Sequence, residues 1–347
     1  MDSISISTGI PFFSLLEESF IKKIKMVAFS GTKMLMVTRS DEVFGLGPLP
    51  CSEIHSDNLE PRRIHQLDGK KVKKIVFGNN FIVILTSEGK VFSWGENESY
   101  QLGVGNYDQI STPTPVIIST LESKKVIDVA CGSTHAVVRC SDNQIYFWGK
   151  GISVHPGYSE PNTIAITSTD EGVFYVTTKG EVYGMGYVCS KTYHSPTYSL
   201  GNGYTNAPVT IWTQIDNLSN IKKIVGGKHH IMALNNDGYV FVWGDNGKGQ
   251  LGFCIPTNQP TPVKFSGISE KIIDIAANSQ SDLSAAITQS SKLYVWGAYP
   301  GGYFSKPYLT SFTSFNEAFT NFSDPNMTYE CVTFEALEEE SDDQDNH

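Results

Sequence analysis

A short β-prone run closing on glycine recurs six times in the 347 residues, and this repetition constrains the fold more than any local motif. The copies are Val43-Phe44-Gly45-Leu46-Gly47, Val91-Phe92-Ser93-Trp94-Gly95, Ile145-Tyr146-Phe147-Trp148-Gly149, Val182-Tyr183-Gly184-Met185-Gly186, Val240-Phe241-Val242-Trp243-Gly244 and Leu293-Tyr294-Val295-Trp296-Gly297. Their final glycines lie 48, 54, 37, 58 and 53 residues apart. The fullest copy spans Asn235 to Val263. It holds a polar turn, the run to Trp243-Gly244, a glycine-rich turn ending Gln250-Leu251-Gly252, and an exit through Pro260 and Pro262.

Other runs accompany the aligned one. A second lies just upstream across a polar turn, as in Phe81-Ile82-Val83-Ile84-Leu85 before Ser87-Glu88-Gly89-Lys90, where glycine or asparagine supplies the positive φ of a tight hairpin. A third precedes it, as in Val72 to Phe77 and Ile221 to Val225, and a fourth follows proline, as in Pro115-Val116-Ile117-Ile118 and Pro262-Val263-Lys264-Phe265. Proline at the start of that strand suits an outer edge, where a missing N–H breaks no ladder bond. Four short antiparallel strands per unit, repeated radially, predict an all-β fold, a β-propeller of four-stranded blades. Six blades are expected, or seven if the two ends combine, with the ring closed by the chain termini through Ser3 to Ser14 and a strand at Tyr329 to Phe334. Helical periodicity is confined to Phe13 to Lys25. Residues 1–337 read as one propeller domain, and 338–347 as an acidic disordered tail.

Of the net charge of −10, seven acids between Glu335 and Asp345 account for seven units and leave −3 on the remainder. A near-balanced body argues against direct duplex-DNA binding, which needs clustered cations to displace counterions. The six cysteines are scattered with no CxxC pair, so no disulfide framework or zinc site is expected. No signal peptide or membrane-length apolar run is read, and the expected setting is cytoplasmic, nuclear or both, for a monomer.

Gly-x-x-His, an apolar run, a polar turn, an aromatic-x-Trp-Gly run, then Asn-x-x-Gly-Gln-Leu-Gly and a proline exit resemble the regulator of chromosome condensation repeat over about residues 24 to 310. Gly132 to Gly149 and Gly227 to Gly252 carry it best, and Glu96 to Gly103 in part. The histidine slot holds Lys33, Phe81, Gly172 and Leu283 in the other units.

In the founding member of that family, an exchange factor for the small GTPase Ran, the resemblance implies that loops on one face carry the acidic and histidine residues used in exchange. Exchange there rests on differential affinity for the nucleotide-free GTPase, with no covalent chemistry. The corresponding positions here, between glycine and histidine, are Asn79-Asn80, Ser133-Thr134, Asp170-Glu171, Lys228-His229 and Asp282. They are the expected partner-binding residues. A non-catalytic propeller binding a protein partner is the favoured reading, and nucleotide exchange on a Ran-like or other small GTPase is the alternative.

No Walker loop, Gly-x-Ser-x-Gly or HExxH occurs, so no catalytic residue, metal or cofactor is assigned. Adjacent His229 and His230 on a strand would point to opposite faces. His135 and His230 are expected to bond backbone between blades, the four motif tryptophans to pack blade on blade, and Asn97, Asn246, Gly247 and Gly249 to shape turns.

Overall fold

The computed structural model describes residues 16–30, 33–50, 60–115, 121–149, 158–159, 162–170, 172–186, 200–203, 209–254, 256–277, 281–299, 301–315 and 318–319. They form the expected propeller: six four-stranded antiparallel sheets, each made of four strands consecutive in sequence. The blades begin at Ile24, Val72, Val126, Thr163, Ile221 and Ile272. First strands of successive blades touch one another, which places them around the axis and the fourth strands at the rim.

The second strands explain why the sheets stack. Phe81–Thr86, Gly172–Thr177 and His230–Asn235 are buried at every position, on both faces. Because side chains alternate along a strand, each second strand serves two interfaces. Ile82 and Ile84 join Leu35, Val37 and Trp94 between blades 1 and 2, while Phe81, Val83 and Leu85 meet Ala136, Val138 and Trp148 between blades 2 and 3. Three more such cores follow, around Phe147 and Tyr175, around Phe174 and Trp243, and around Met232 and Trp296. The outward faces of the end blades are covered from the flanks. Leu16, Phe20 and Ile21 cover Met34 and Leu46 of blade 1, and Phe312, Phe315 and Phe319 cover Leu283 and Val295 of blade 6.

Two expectations shift in detail. Among the described residues of the expected Phe13 to Lys25 stretch, helix forms at Glu18–Ile21, because Ile24 already begins the first strand. In blades 2 and 5 the fourth strands start before their prolines: Ile110–Pro115 and Gln259–Lys264 contain Pro113 and Pro115, and Pro260 and Pro262, whereas the blade 4 strand Val209–Gln214 follows Pro208 as expected. An outer edge tolerates proline along its length, and a bulge between Val242 and Gly244 absorbs the irregular pairing. Ser3 to Ser14, Tyr329 to Phe334 and the acidic tail lie outside the described residues. Among those described, no helix is long and apolar enough to cross a membrane.

Candidate functional site

The turns between first and second strands gather on one face around the axis, and hydrogen bonds tie them into a collar. Lys33 Nζ of blade 1 donates to the Asn79 carbonyl at 2.8 Å, and Asn79 N–H donates to the Ser133 carbonyl at 3.0 Å. Ser133 Oγ donates to the Asp170 carboxylate. Asp170 N–H donates to the Lys228 carbonyl at 2.9 Å, and Lys228 N–H to the Ser281 carbonyl at 3.0 Å. From blade 2 to blade 6 the first of the two turn positions carries the link between blades, blade 1 joins through Lys33, and all six blades are connected in series.

The second position serves its own blade. The carbonyls of Asn80, His229 and Asp282 accept from the N–H groups of Glu96, Asp245 and Ala298, at 2.8, 2.9 and 3.2 Å. This close approach is why four of the six aligned runs end in glycine. A Cβ on Gly95, Gly149, Gly244 or Gly297 would stand 1.9–2.4 Å from the carbonyl oxygen of Asn80, Thr134, His229 or Asp282, and their φ values of 92–124° exclude other residues as well.

Both motif histidines clasp the following blade through a serine hydroxyl, and His135 also meets the Gly172 backbone there, as expected. His135 Nε2 lies 2.6 Å from Ser168 Oγ, and His230 Nε2 lies 2.7 Å from Ser284 Oγ. Ser284 donates onward to the Gln250 carbonyl at 2.9 Å, so His230 is assigned as the Nε2–H tautomer. Burial pushes both imidazoles down to about 4, against a small upward pull from the Gly172 carbonyl at His135 and from Asp282 at His230. They are neutral scaffold groups.

The tryptophans act in the same way. Trp148 and Trp296 Nε1–H donate at 3.0 Å to the carbonyls of Gln101 and Gln250 in the preceding blades. Asn97 and Asn246 are buried turn residues whose side chains accept from Leu102 and Leu251 N–H.

The expected partner-binding residues thus lie on one rim, in unequal exposure. Asn79 is exposed, and Asn80, Ser133, Thr134, Lys228 and His229 are half-buried. Asn80 Nδ2 donates to Glu96 at 2.9 Å. Asp170 keeps 10% of its side-chain exposure, beside Ser133 and 3.8 Å from His229 Nε2. Asp282 is buried, with Lys248 Nζ 2.9 Å from Oδ2. Its burial works against the charged form, yet the Lys248 hydrogen bond and the nearby imidazoles hold its carboxyl below the usual range. Glu171 lies outside the described residues.

Two features of this face are missing from the sequence-based assignment. Lys248 belongs to the charged rim as much as to its turn. Tyr100 and Tyr107, with Glu98, stand exposed on the turn after the third strand of blade 2. The sign of Tyr100 is a departure from the repeat, since the fifth unit has Gly249 there. Among the described residues no three His, Cys, Asp or Glu side chains cluster as metal ligands. A groove of about 820 Å³ is lined by Phe253, Cys254 and Val263 on the blade 5 side and Lys306 and Pro307 on blade 6.

Two models of the regulator of chromosome condensation (RCC1) repeat match the sequence, one at residues 88–139 and 237–281, the other at 72–101 and 221–250. The chain carries RCC1 repeats and is similar to RCC1-domain proteins. Among its relatives are the ultraviolet-B receptor UVR8 of Arabidopsis thaliana, 28% identical over 264 residues covering 71% of this chain and 58% of the receptor, and protein pim1 of Schizosaccharomyces pombe, 26% identical over 73% of this chain and 41% of pim1. The E3 ubiquitin-protein ligase HERC2 of Homo sapiens is 28% identical over 68% of this chain but only 5% of its own length. The chain thus spans well under two thirds of these relatives. Prp20p of Saccharomyces cerevisiae, solved with its binding properties to Gsp1p and histones, superposes with a TM-score of 0.67 at 19% identity, covering 87% of this chain and 79% of that one. Human WBSCR16 superposes at 0.62 with 21% identity, covering 74% and 70%. These likenesses show the fold.

Proposed function

We propose that this RCC1-repeat propeller binds a protein partner through its collar face. The supporting observation is the hydrogen-bonded rim itself. The backbone of Asn79, Asp170 and Lys228 is fixed by neighbouring blades, while the side chains of Asn79 and Lys228 are left to differ. A rigid frame with variable outward side chains lowers the ordering cost of association and lets residue choice set the partner. Fold alone does not assign function, so the reading rests on that rim.

The test is Asn79→Arg with Lys228→Glu in the full chain. The expected outcome is loss of the captured partner by at least tenfold, with the melting temperature unchanged because the collar uses only the backbone of these residues. Unchanged capture would remove the collar face as the binding surface.

A second reading, nucleotide exchange on a small GTPase, is supported by Asp170 and His229 meeting 3.8 Å apart on the rim and by the relative Prp20p, whose structure was reported with its binding to Gsp1p. It predicts faster release of fluorescent GDP from at least one small GTPase at micromolar protein. No acceleration from a panel would eliminate it and leave the binding reading standing.

A further inference from the structure

In blade 2 the turn that leads out to the fourth strand ends on the same face as the collar, as the Asn80–Glu96 bond shows. On it the rings of Tyr100 and Tyr107 lie with centroids 3.4 Å apart and planes tilted by 41°, and 37% and 58% of these two residues is exposed. Tyr100 holds φ at 58°, the left-handed region that a bulky side chain avoids. The equivalent residue of blade 5 is Gly249, at φ 75°. Left-handed backbone carrying a tyrosine is strained, and strain of this kind persists where a side chain has a use. The charge around the pair has one sign. The turn from Glu96 to Asp108 carries Glu96, Glu98 and Asp108 with no Lys or Arg, and Glu98 and Asp108 are exposed. Lys33, the cation that acts on Glu96, is itself engaged by the Asn79 carbonyl.

We infer that Tyr100 and Tyr107, with Glu98 and Asp108, form a receptor for an arginine side chain of the protein partner. This deepens the collar-face reading and rests on it. A guanidinium is flat and weakly hydrated, so it lies on an aromatic face while its N–H groups reach carboxylates at the ring edges. An apolar partner residue would leave the two carboxylates without a counter-charge, and an acidic one would be repelled. The molecule already makes one contact of this chemistry internally, with Lys264 Nζ 3.4 Å from the centroid of Tyr239.

The test uses the full chain with ring-labelled tyrosine, titrated with acetyl-Gly-Arg-Gly-amide and with its uncharged citrulline counterpart. The arginine peptide should shift the Tyr100 and Tyr107 signals along a saturating curve, at least tenfold tighter than citrulline. Tyr100→Gly should abolish the response while other tyrosine signals stay in place, and Glu98→Gln should weaken it severalfold. No saturation by about 20 mM peptide, the weak end of specific binding, or equal response to citrulline, overturns the receptor. Failure of the two readings separates in the capture assay. If Asn79→Arg with Lys228→Glu abolishes partner capture and Tyr100→Gly does not, the arginine receptor falls and the collar-face reading stands. If Tyr100→Gly abolishes capture and Asn79→Arg with Lys228→Glu does not, the receptor stands and the collar positions Asn79 and Lys228 fall as the binding surface.

Discussion

Blades 2 and 5 carry the same turn after their third strand, from Asn97 to Gly103 and from Asn246 to Gly252, and use it differently. The buried bonds agree closely. Asn97 and Asn246 accept from Leu102 and Leu251 N–H at 3.0 and 2.9 Å, Gln101 and Gln250 Oε1 accept from Ser99 and Lys248 N–H at 2.8 Å, and both glutamine carbonyls take a tryptophan N–H at 3.0 Å. The first-strand ion pairs match as well, Lys74 with Asp128 at 2.7 Å and Lys223 with Asp274 at 2.5 Å. The difference lies at one left-handed residue. In blade 5 a Cβ at Gly249 would stand 2.7 Å from the Cα of Ser305 in the next blade, so glycine is required. In blade 2 the same position is open and carries Tyr100 into solvent. The repeat specifies what lies inside, and surface identity is decided by whether a neighbour covers the turn.

The comparison is most strongly challenged at the tryptophans. Trp148→Ala and Trp296→Ala should each cost about 3–5 kcal/mol in denaturant unfolding, since both leave a large void and an orphaned glutamine carbonyl. A large inequality between them would break the equivalence of the two junctions.

Acid should separate the blades next. Blade 5 has His230 where blade 2 has Phe81. The folded imidazole stays neutral down to about 4, whereas an unfolded histidine protonates near 6.5. Between those values the unfolded chain binds more protons, so stability is full above pH 6.5 and falls as pH drops toward 4. The loss is about 3 kcal/mol for each such histidine. His135 contributes in the same sense, so His230→Gln should remove roughly half of the acid dependence measured between pH 7 and 4.5, and an unchanged dependence would mean that His230 is charged in the fold.

The smallest effect is the most specific. Gly249→Ala should destabilise by about 1–3 kcal/mol through the close contact and the left-handed φ. Tyr100→Gly should change stability by no more than about 1 kcal/mol, because relief of backbone strain offsets the lost ring contact. Equal costs at the two sites would mean that Ser305 does not constrain the turn.

The fold was legible because the repeat is written in buried residues. Trp-Gly marks the third strand, where the glycine faces a carbonyl, and Gly-x-x-His marks the clasp. The second strands announce themselves as unbroken apolar runs. Partners of the clasp were not legible: Ser168 and Ser284 lie 33 and 54 residues beyond their histidines, and nothing in a serine's local sequence shows which imidazole it meets. In blades 2 and 5 the proline marks no boundary, since an outer edge accepts it internally, whereas in blade 4 the strand follows Pro208. At the collar, sequence identified the positions but could not separate side chain from backbone. Asp170 and Asp282 look like free acids in the sequence and are largely buried and bonded in the structure, while Tyr100 becomes conspicuous only as a tyrosine in a glycine's conformation.

On the proposed function, scaffold and recognition are separate sets of residues, with recognition on the collar face. Amide hydrogen exchange of the full chain, alone and with its captured partner, tests this most directly. Slowed exchange is expected at residues 98–108, 228–229 and 245–254, with no change at the opposite-face turns 86–90, 177–181 and 235–239. Protection confined to those opposite turns, or to the outer strands, would contradict it.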